Sequence, residues 1–240
     1  MSTAKSEAES SAAILIDGVA MPVRVRRSAR ARAYKLTMDG TRGELRLSLP
    51  MRGNLKRALG WAQDHEGWVR AQLAQQPAIT RLDDGAVFPL EGRDVQICWV
   101  AGATRTIRLE GDRLLLGGAA ESVSARVMRW LVTRARAVLE TESHELARDQ
   151  GLIVASVGVG DPRTRWGSCT SSGAIRYSWR LILCPPHVRR ATVAHELAHL
   201  LHMDHSAAFH AAHARIYGAD PRPARAWLRS HGAGLHRYTA

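Results

Sequence analysis

The chain has 240 residues, 45% hydrophobic and 23% charged, with 34 Lys+Arg against 22 Asp+Glu for a formal net charge of +12. That balance suits a chain with a buried core and excludes the low-hydrophobicity signature of disorder. No uninterrupted apolar run approaches the roughly 18 residues of a transmembrane helix, and the N-terminus carries neither the basic nor the apolar segment of a signal peptide.

Residues 1–12 read as a disordered tail, and strands are expected from Ile14 onward. Val23 and Val25 alternate with Arg24 and Arg26, an extended pattern resumes over residues 31–38, and Leu45, Leu47 and Leu49 alternate with Arg46 and Ser48. Such period-2 runs put the arginines on one solvated face. Asn54 is a plausible N-cap for a helix over residues 54–76, stopped by Pro77. Short strands follow over residues 87–90, 95–100, 107–109 and 114–116, and no internal repeat of fixed period is visible. The Leu116-Gly117-Gly118 turn marks the expected boundary between a β-rich N-terminal region, 13–118, and a second region, 119–240. The second region opens with a long helix over 122–150, with Gly151 as its C′ residue. Strand-like segments at 153–159, 164–166, 174–179 and 181–184 lead to Pro185-Pro186 and a helix over 188–202. Ser206 caps another helix that ends near Gly218, and Asp220-Pro221 opens the last one.

Of the 11 histidines, only His65 and His144 precede residue 187. Within this late cluster, His195-Glu196-Leu197-Ala198-His199 forms H-E-x-x-H in an apolar, helix-forming context. In a helix, positions i and i+4 lie about 40° and one turn apart, so both imidazoles converge on one ion. Neutral imidazole suits Zn2+. Glu196, beside the first ligand, reaches a water at the ion without ligating it, and suits general acid/base work.

A catalytic zinc needs a third protein ligand and an open position. His202 shares the helical face of His195 but lies about 10.5 Å along the axis, too far for the same ion. His205 ligates only if the chain turns back after His202, and Met203-Asp204 before the Ser206 cap favours such a break. His205 is therefore the expected third ligand. The spacing H-E-x-x-H-x5-H matches metzincins, with histidine at 202 where they carry glycine. His144-Glu145-Leu146-Ala147-Arg148 repeats the first four letters, but its arginine is no zinc ligand, so it reads as ordinary amphipathic helix. His210 and His213 are read as surface or packing residues.

Further motifs accompany the histidines: Arg165-Trp166-Gly167-Ser168-Cys169, Trp179-Arg180-Leu181-Ile182, Pro185-Pro186 and His205-Ser206-x-x-Phe209. With His195-Glu196-Leu197-Ala198-His199-Leu200, their order and spacing resemble the YgjP-like metallopeptidase domain, a family related to SprT-like and other gluzincin-like zinc peptidases. The resemblance extends over about residues 20–217. It implies a zinc peptidase with His195, His199 and His205 as ligands and Glu196 as acid/base. Ser178 stands where the family often has asparagine, and His210 where it often has tryptophan.

Arg165 and Trp166 are candidate substrate-binding residues. Asp204 is a candidate to orient an imidazole. Cys169 reads as a small buried residue, and Arg180 as half of a structural ion pair. The expectation is an α+β protein in which a β-rich N-terminal region precedes a zincin-like metallopeptidase region built on the H-E-x-x-H helix, with one Zn2+ and a protein or peptide substrate. Cysteine usage (Cys98, Cys169 and Cys184) shows no disulfide framework and points to a reducing cytoplasm, without membrane association. Lysine occurs only at Lys5, Lys35 and Lys56, the remaining basic residues being arginines. Their spread fits a solvated basic surface. It also leaves open a nucleic-acid partner, as for a SprT-like protease or a DNA-binding module. A non-catalytic structural zinc protein is the third reading, which the acid/base residue beside the ligands argues against.

Overall fold

Alternating apolar and basic residues build the first part of the chain as their pattern requires. The computed structural model describes residues 9–39, 44–74 and 78–240. The chain divides into two compact units, Met1–Pro77 and Ala78–Ala240. The boundary thus falls well before the Leu116-Gly117-Gly118 turn, which is internal to the second unit.

In the first unit, strands β1 (Glu9–Ile16), β2 (Val19–Ser28), β3 (Lys35–Asp39) and β4 (Glu44–Pro50) form one sheet in the order β1-β2-β4-β3. The strand beginning at Glu9 corrects the expected tail, whose first eight residues lie outside the described ones. β2 and β4 run parallel with Arg24 opposite Arg46 and Val25 opposite Leu47. Val23, Val25, Leu45, Leu47 and Leu49 are buried on one face. Helices α1 (Leu55–Gln63) and α2 (Glu66–Ala74) add Ala58, Ala62 and Val69 to this core. Asn54 does cap α1, accepting from the Arg57 amide at 3.0 Å. The single helix expected over 54–76 is broken near His65. There the amide bonds the Ala62 carbonyl, while the ring takes the Trp61 carbonyl that the amide would have used. Its expected stop at Pro77 lies outside the described residues.

The second unit begins with β5 (Thr80–Arg81), β6 (Val87–Leu90), β7 (Arg93–Trp99), β8 (Arg108–Glu110) and β9 (Arg113–Leu116). Strands β6 to β9 order as β6-β7-β9-β8, again with an antiparallel pair on each side of a parallel central pair. The two units therefore repeat one four-stranded topology, which no fixed sequence period announces. Helix α3 (Val123–Asp149) follows and ends with Gly151 at φ 64. It buries Val127, Leu131, Ala135, Leu139 and Leu146 at helical spacing.

Three strands, β10 (Ser156–Gly160), β11 (Gly167–Cys169) and β12 (Ala174–Ser178), form a sheet in the order β10-β12-β11. Strand β11 replaces the one expected over 164–166. The strand expected over 181–184 belongs instead to a 3-10 turn, Trp179–Leu183. Every residue of that turn is buried, so no hydrophobic period distinguished it from a strand, and the Ser178 hydroxyl caps it at the Arg180 amide. Helices α4 (Pro186–Ala198), α5 (Ala207–Tyr217) and α6 (Arg222–His231) follow, then a 3-10 turn, Gly232–Arg237, and β13 (Tyr238–Thr239) paired with β5. Mixed helices and strands make this an α+β fold. Among the described residues, no helix is long and apolar enough to cross a membrane.

Candidate active site

Helix α4 opens with proline at its first position, where the missing amide costs nothing, and nine of its 13 residues are buried. A helix of that kind belongs inside the core. Val188, Ala191, Val193, Ala194, Leu197 and Ala198 are buried against α3, α5 and α6. One charged pair fixes its position: Arg189 donates to both Glu142 oxygens of α3, from Nε at 3.2 and 3.1 Å and from Nη2 at 2.9 Å.

Helix α4 stops at Ala198, earlier than the expected end at residue 202, and His199 is its C-cap. The amides of Leu200 and Leu201 bond the carbonyls of Leu197 and Ala198, and the chain turns back at once. No residue between His199 and His205 takes a positive φ, so the turn needs no glycine and histidine is accommodated at 202. The Asp204 carboxylate accepts from the Ser206 amide at 3.2 Å, and the Ser206 hydroxyl caps α5 at Phe209. Asp204 therefore shapes the turn, while the imidazole is oriented by a backbone group: His199 Nδ1 lies 3.1 Å from the His202 carbonyl. Nδ1 carries the proton in that contact, which leaves the Nε2 lone pair of His199 free to ligate.

His195, His199 and His205 each present one ring nitrogen to a common point, the donor atoms all lying within 4.8 Å of one another. The Nε2 atoms of His195 and His205 are 3.4 Å apart. Buried Phe209 forms the base of this cluster, with ring centroids 4.9, 4.6 and 4.7 Å from those of His195, His199 and His205. Burial chiefly, with the neighbouring His213, His199, His205 and Arg225, pushes the His195 imidazole down to about 3. Burial also lowers His199. Neutral rings are the form that binds a cation.

Glu196 is buried at 4% exposure and faces β11. Burial raises its carboxyl to about 7, with Arg165 drawing it back down. The reason for glycine at 167 is steric: a Cβ there would stand 2.4 Å from Glu196 Oε1 and 2.7 Å from its Cδ and Cγ. Trp166 is held in place by its carbonyl, which accepts from the Ser178 amide at 2.8 Å, and by Gly232, where a Cβ would come within 2.7 Å of the indole.

Beside His195 and Glu196 lies a cavity of about 250 Å³ lined by both candidate substrate residues, Arg165 and Trp166. His213 and Arg225 line it as well, although neither lies in a motif that marks the site in the sequence. His213 is buried, and its Nε2 bonds the Ala191 carbonyl at 2.9 Å, tying α5 to α4. Its Nδ1 has no partner among the described residues. Sequence spacing held no signal for either residue, because both arrive from helices beyond the His205 turn. Arg180 is buried and paired with Asp161, and its Nε donates to the Leu235 carbonyl at 3.2 Å, a structural role. His144 is exposed on α3, as the near-copy reading requires. Cys169 is half-buried, not fully so, and burial with nearby Glu196 pushes its thiol up to about 11.

Neither curated proteins nor solved structures give a match to this chain. The family model described as YgjP-like, metallopeptidase domain matches residues 32–231, a span that includes all three histidines, Glu196, β11 and the cavity. The chain belongs to the YgjP-like metallopeptidase domain family.

Proposed function

We propose that the protein is a zinc-dependent, zincin-like metallopeptidase in which His195, His199 and His205 hold the ion and Glu196 is the acid/base. The observation that carries this reading is the convergence of three imidazoles from α4 and the turn after it beside the buried carboxyl group of Glu196. The donor set suits zinc. Two nitrogens each about 2.1 Å from a tetrahedral ion stand about 3.4 Å apart, and His195 and His205 show that spacing. When bound, the ion would polarise a carbonyl and acidify water.

The chain's own residues account for the rest. Glu196, in its low-dielectric position, takes a proton from the attacking water and returns it to the departing amine, cycling between carboxylate and acid. Raised to about 7, the carboxyl group is a stronger base than an exposed carboxylate and still releases its proton near neutral pH, which suits both halves of that cycle. Phe209 excludes water beneath the imidazoles and keeps their rings in register. β11 is an edge strand of its sheet, with Gly167 against Glu196. An extended substrate would add there as a further strand, its backbone running past the carboxyl group. A structural metal site has no use for a buried carboxyl group at that place.

The test is metal content measured together with turnover. Purified protein should hold a single zinc ion per chain and cleave unstructured peptides, and a chelator should abolish the cleavage. His205→Ala should lose the ion at concentrations where wild type keeps it. Wild type with no metal affinity above that of His205→Ala refutes the reading.

A further inference from the structure

The cavity beside Glu196 has two chemically distinct parts. Its walls are largely apolar: Val188, Ala191 and Ala224 are buried, Trp166 and Leu228 are partly buried against the same core, and buried Thr192 and His213 add polar groups among them. Its volume, about 250 Å³, is that of a single residue and not of a long peptide segment. Arg165 and Arg225 also line it, and both are exposed, so their guanidinium groups stand at the rim.

These two arginines differ from the others near the site. Arg180 is tied to Asp161 and Arg189 to Glu142, whereas neither Arg165 nor Arg225 has a side-chain hydrogen-bond or ion-pair partner among the described residues. Both nonetheless lie close enough to act electrostatically on the site, Arg165 on Glu196 and Arg225 on His195 and His213. A guanidinium is built to grip a carboxylate in a two-pronged hydrogen bond. An acidic side chain would have to lie along apolar walls with its charge carried back to the rim. An α-carboxylate has no such conflict, because the same residue offers an apolar side chain to the walls and a charge beside it. The cavity also opens on Glu196, which hands its proton to the leaving nitrogen, so its occupant is the residue that leaves.

We infer that the cavity receives the C-terminal residue of a peptide, its apolar side chain among Trp166, Val188 and Leu228 and its α-carboxylate on Arg165 and Arg225, so that the enzyme trims chain ends. This rests on the proposed peptidase function. In the step itself, a water oxygen bonds to the carbonyl carbon of the penultimate residue and the C–N bond breaks. One water proton passes through Glu196 to the leaving nitrogen, and the products are a shortened peptide and a free amino acid.

The experiment uses the full chain and one blocked peptide in three forms, ending in Leu with a free acid, in Leu amide, and in Glu amide. Binding to Glu196→Gln is measured by calorimetry, and cleavage by wild type is followed by mass spectrometry. The free acid should bind about tenfold tighter than the Leu amide, as expected for a hydrogen-bonded charge at an exposed rim. Wild type should release free leucine, and Arg225→Gln, an exposed change, should remove most of the binding ratio. Equal binding of acid and amide overturns the inference, as does tighter binding of the Glu amide or faster cleavage at internal bonds. An intact acid preference without turnover of any peptide supports the carboxylate site and counts against the peptidase reading beneath it.

Discussion

Gly167 lies in extended backbone outside the left-handed region, so alanine there carries no conformational strain and its effect isolates one contact. The added methyl would stand 2.4 Å from Glu196 Oε1 and 2.7 Å from Cδ and Cγ, where ordinary contact begins near 3.4 Å. The backbone of β11 is held by pairing with β12, so the carboxyl group must retreat by about 1 Å. Misplacing a catalytic group by that distance costs on the order of 10²-fold in rate, equivalent to about 2.7 kcal/mol of transition-state stabilisation. Gly167→Ala should therefore keep its zinc and lose about 10²-fold in kcat/KM. Because the loss acts through Glu196, adding Gly167→Ala to Glu196→Gln should cost nothing further, a non-additivity that a double-mutant cycle reads directly. A zinc-loaded Gly167→Ala enzyme within threefold of wild type would refute the steric argument, as would fully additive losses.

The remaining predictions concern the frame around the site. Glu142→Gln leaves Arg189, at 4% side-chain exposure, with only the more distant Glu91 carboxylate at 3.6 Å. Breaking such a pair costs about 3 kcal/mol or more; a urea unfolding shift below 1 kcal/mol would show that the pair does not pin α4 to α3. Burial pushes the thiols of Cys169 and Cys184 up to about 11 and about 12. A raised pKa leaves the thiol protonated at pH 8, so both should resist iodoacetamide until the protein unfolds. Mass spectrometry of native protein should find carbamidomethylation at Cys98 first, and early labelling of Cys184 would contradict its placement.

The parts of the site legible in the sequence are those set by local geometry. His195 and His199 meet because a helix brings i and i+4 together, and His205 follows from a turn completed within a few residues. Even there the helix ends sooner than its apolar pattern suggests, because the turn is made in right-handed backbone by Leu200 and Leu201. Phe209 stands in the sequence as one aromatic in a motif, and its place beneath three imidazoles emerges only when α5 folds back on α4. Gly167 and Arg225 reach Glu196 and His195 from elements far along the chain. No periodicity encodes a missing Cβ or a guanidinium at a rim. The same limit applies to the fold. The basic-apolar alternation of β2 and β4 gave away one sheet face. The buried 3-10 turn Trp179–Leu183 has no period to read, and the topology shared by the two four-stranded sheets is carried by strand order, with no repeated residues.

The most direct test of the metallopeptidase account is a comparison of wild type with Glu196→Gln, with zinc stoichiometry and peptide cleavage measured on the same samples. Glutamine keeps the shape of the side chain and leaves the three imidazoles untouched, but it cannot exchange a proton. The account predicts equal zinc in both proteins and a fall in turnover of about 10²-fold to 10⁴-fold in the variant. Equal zinc with undiminished cleavage would contradict the role given to Glu196.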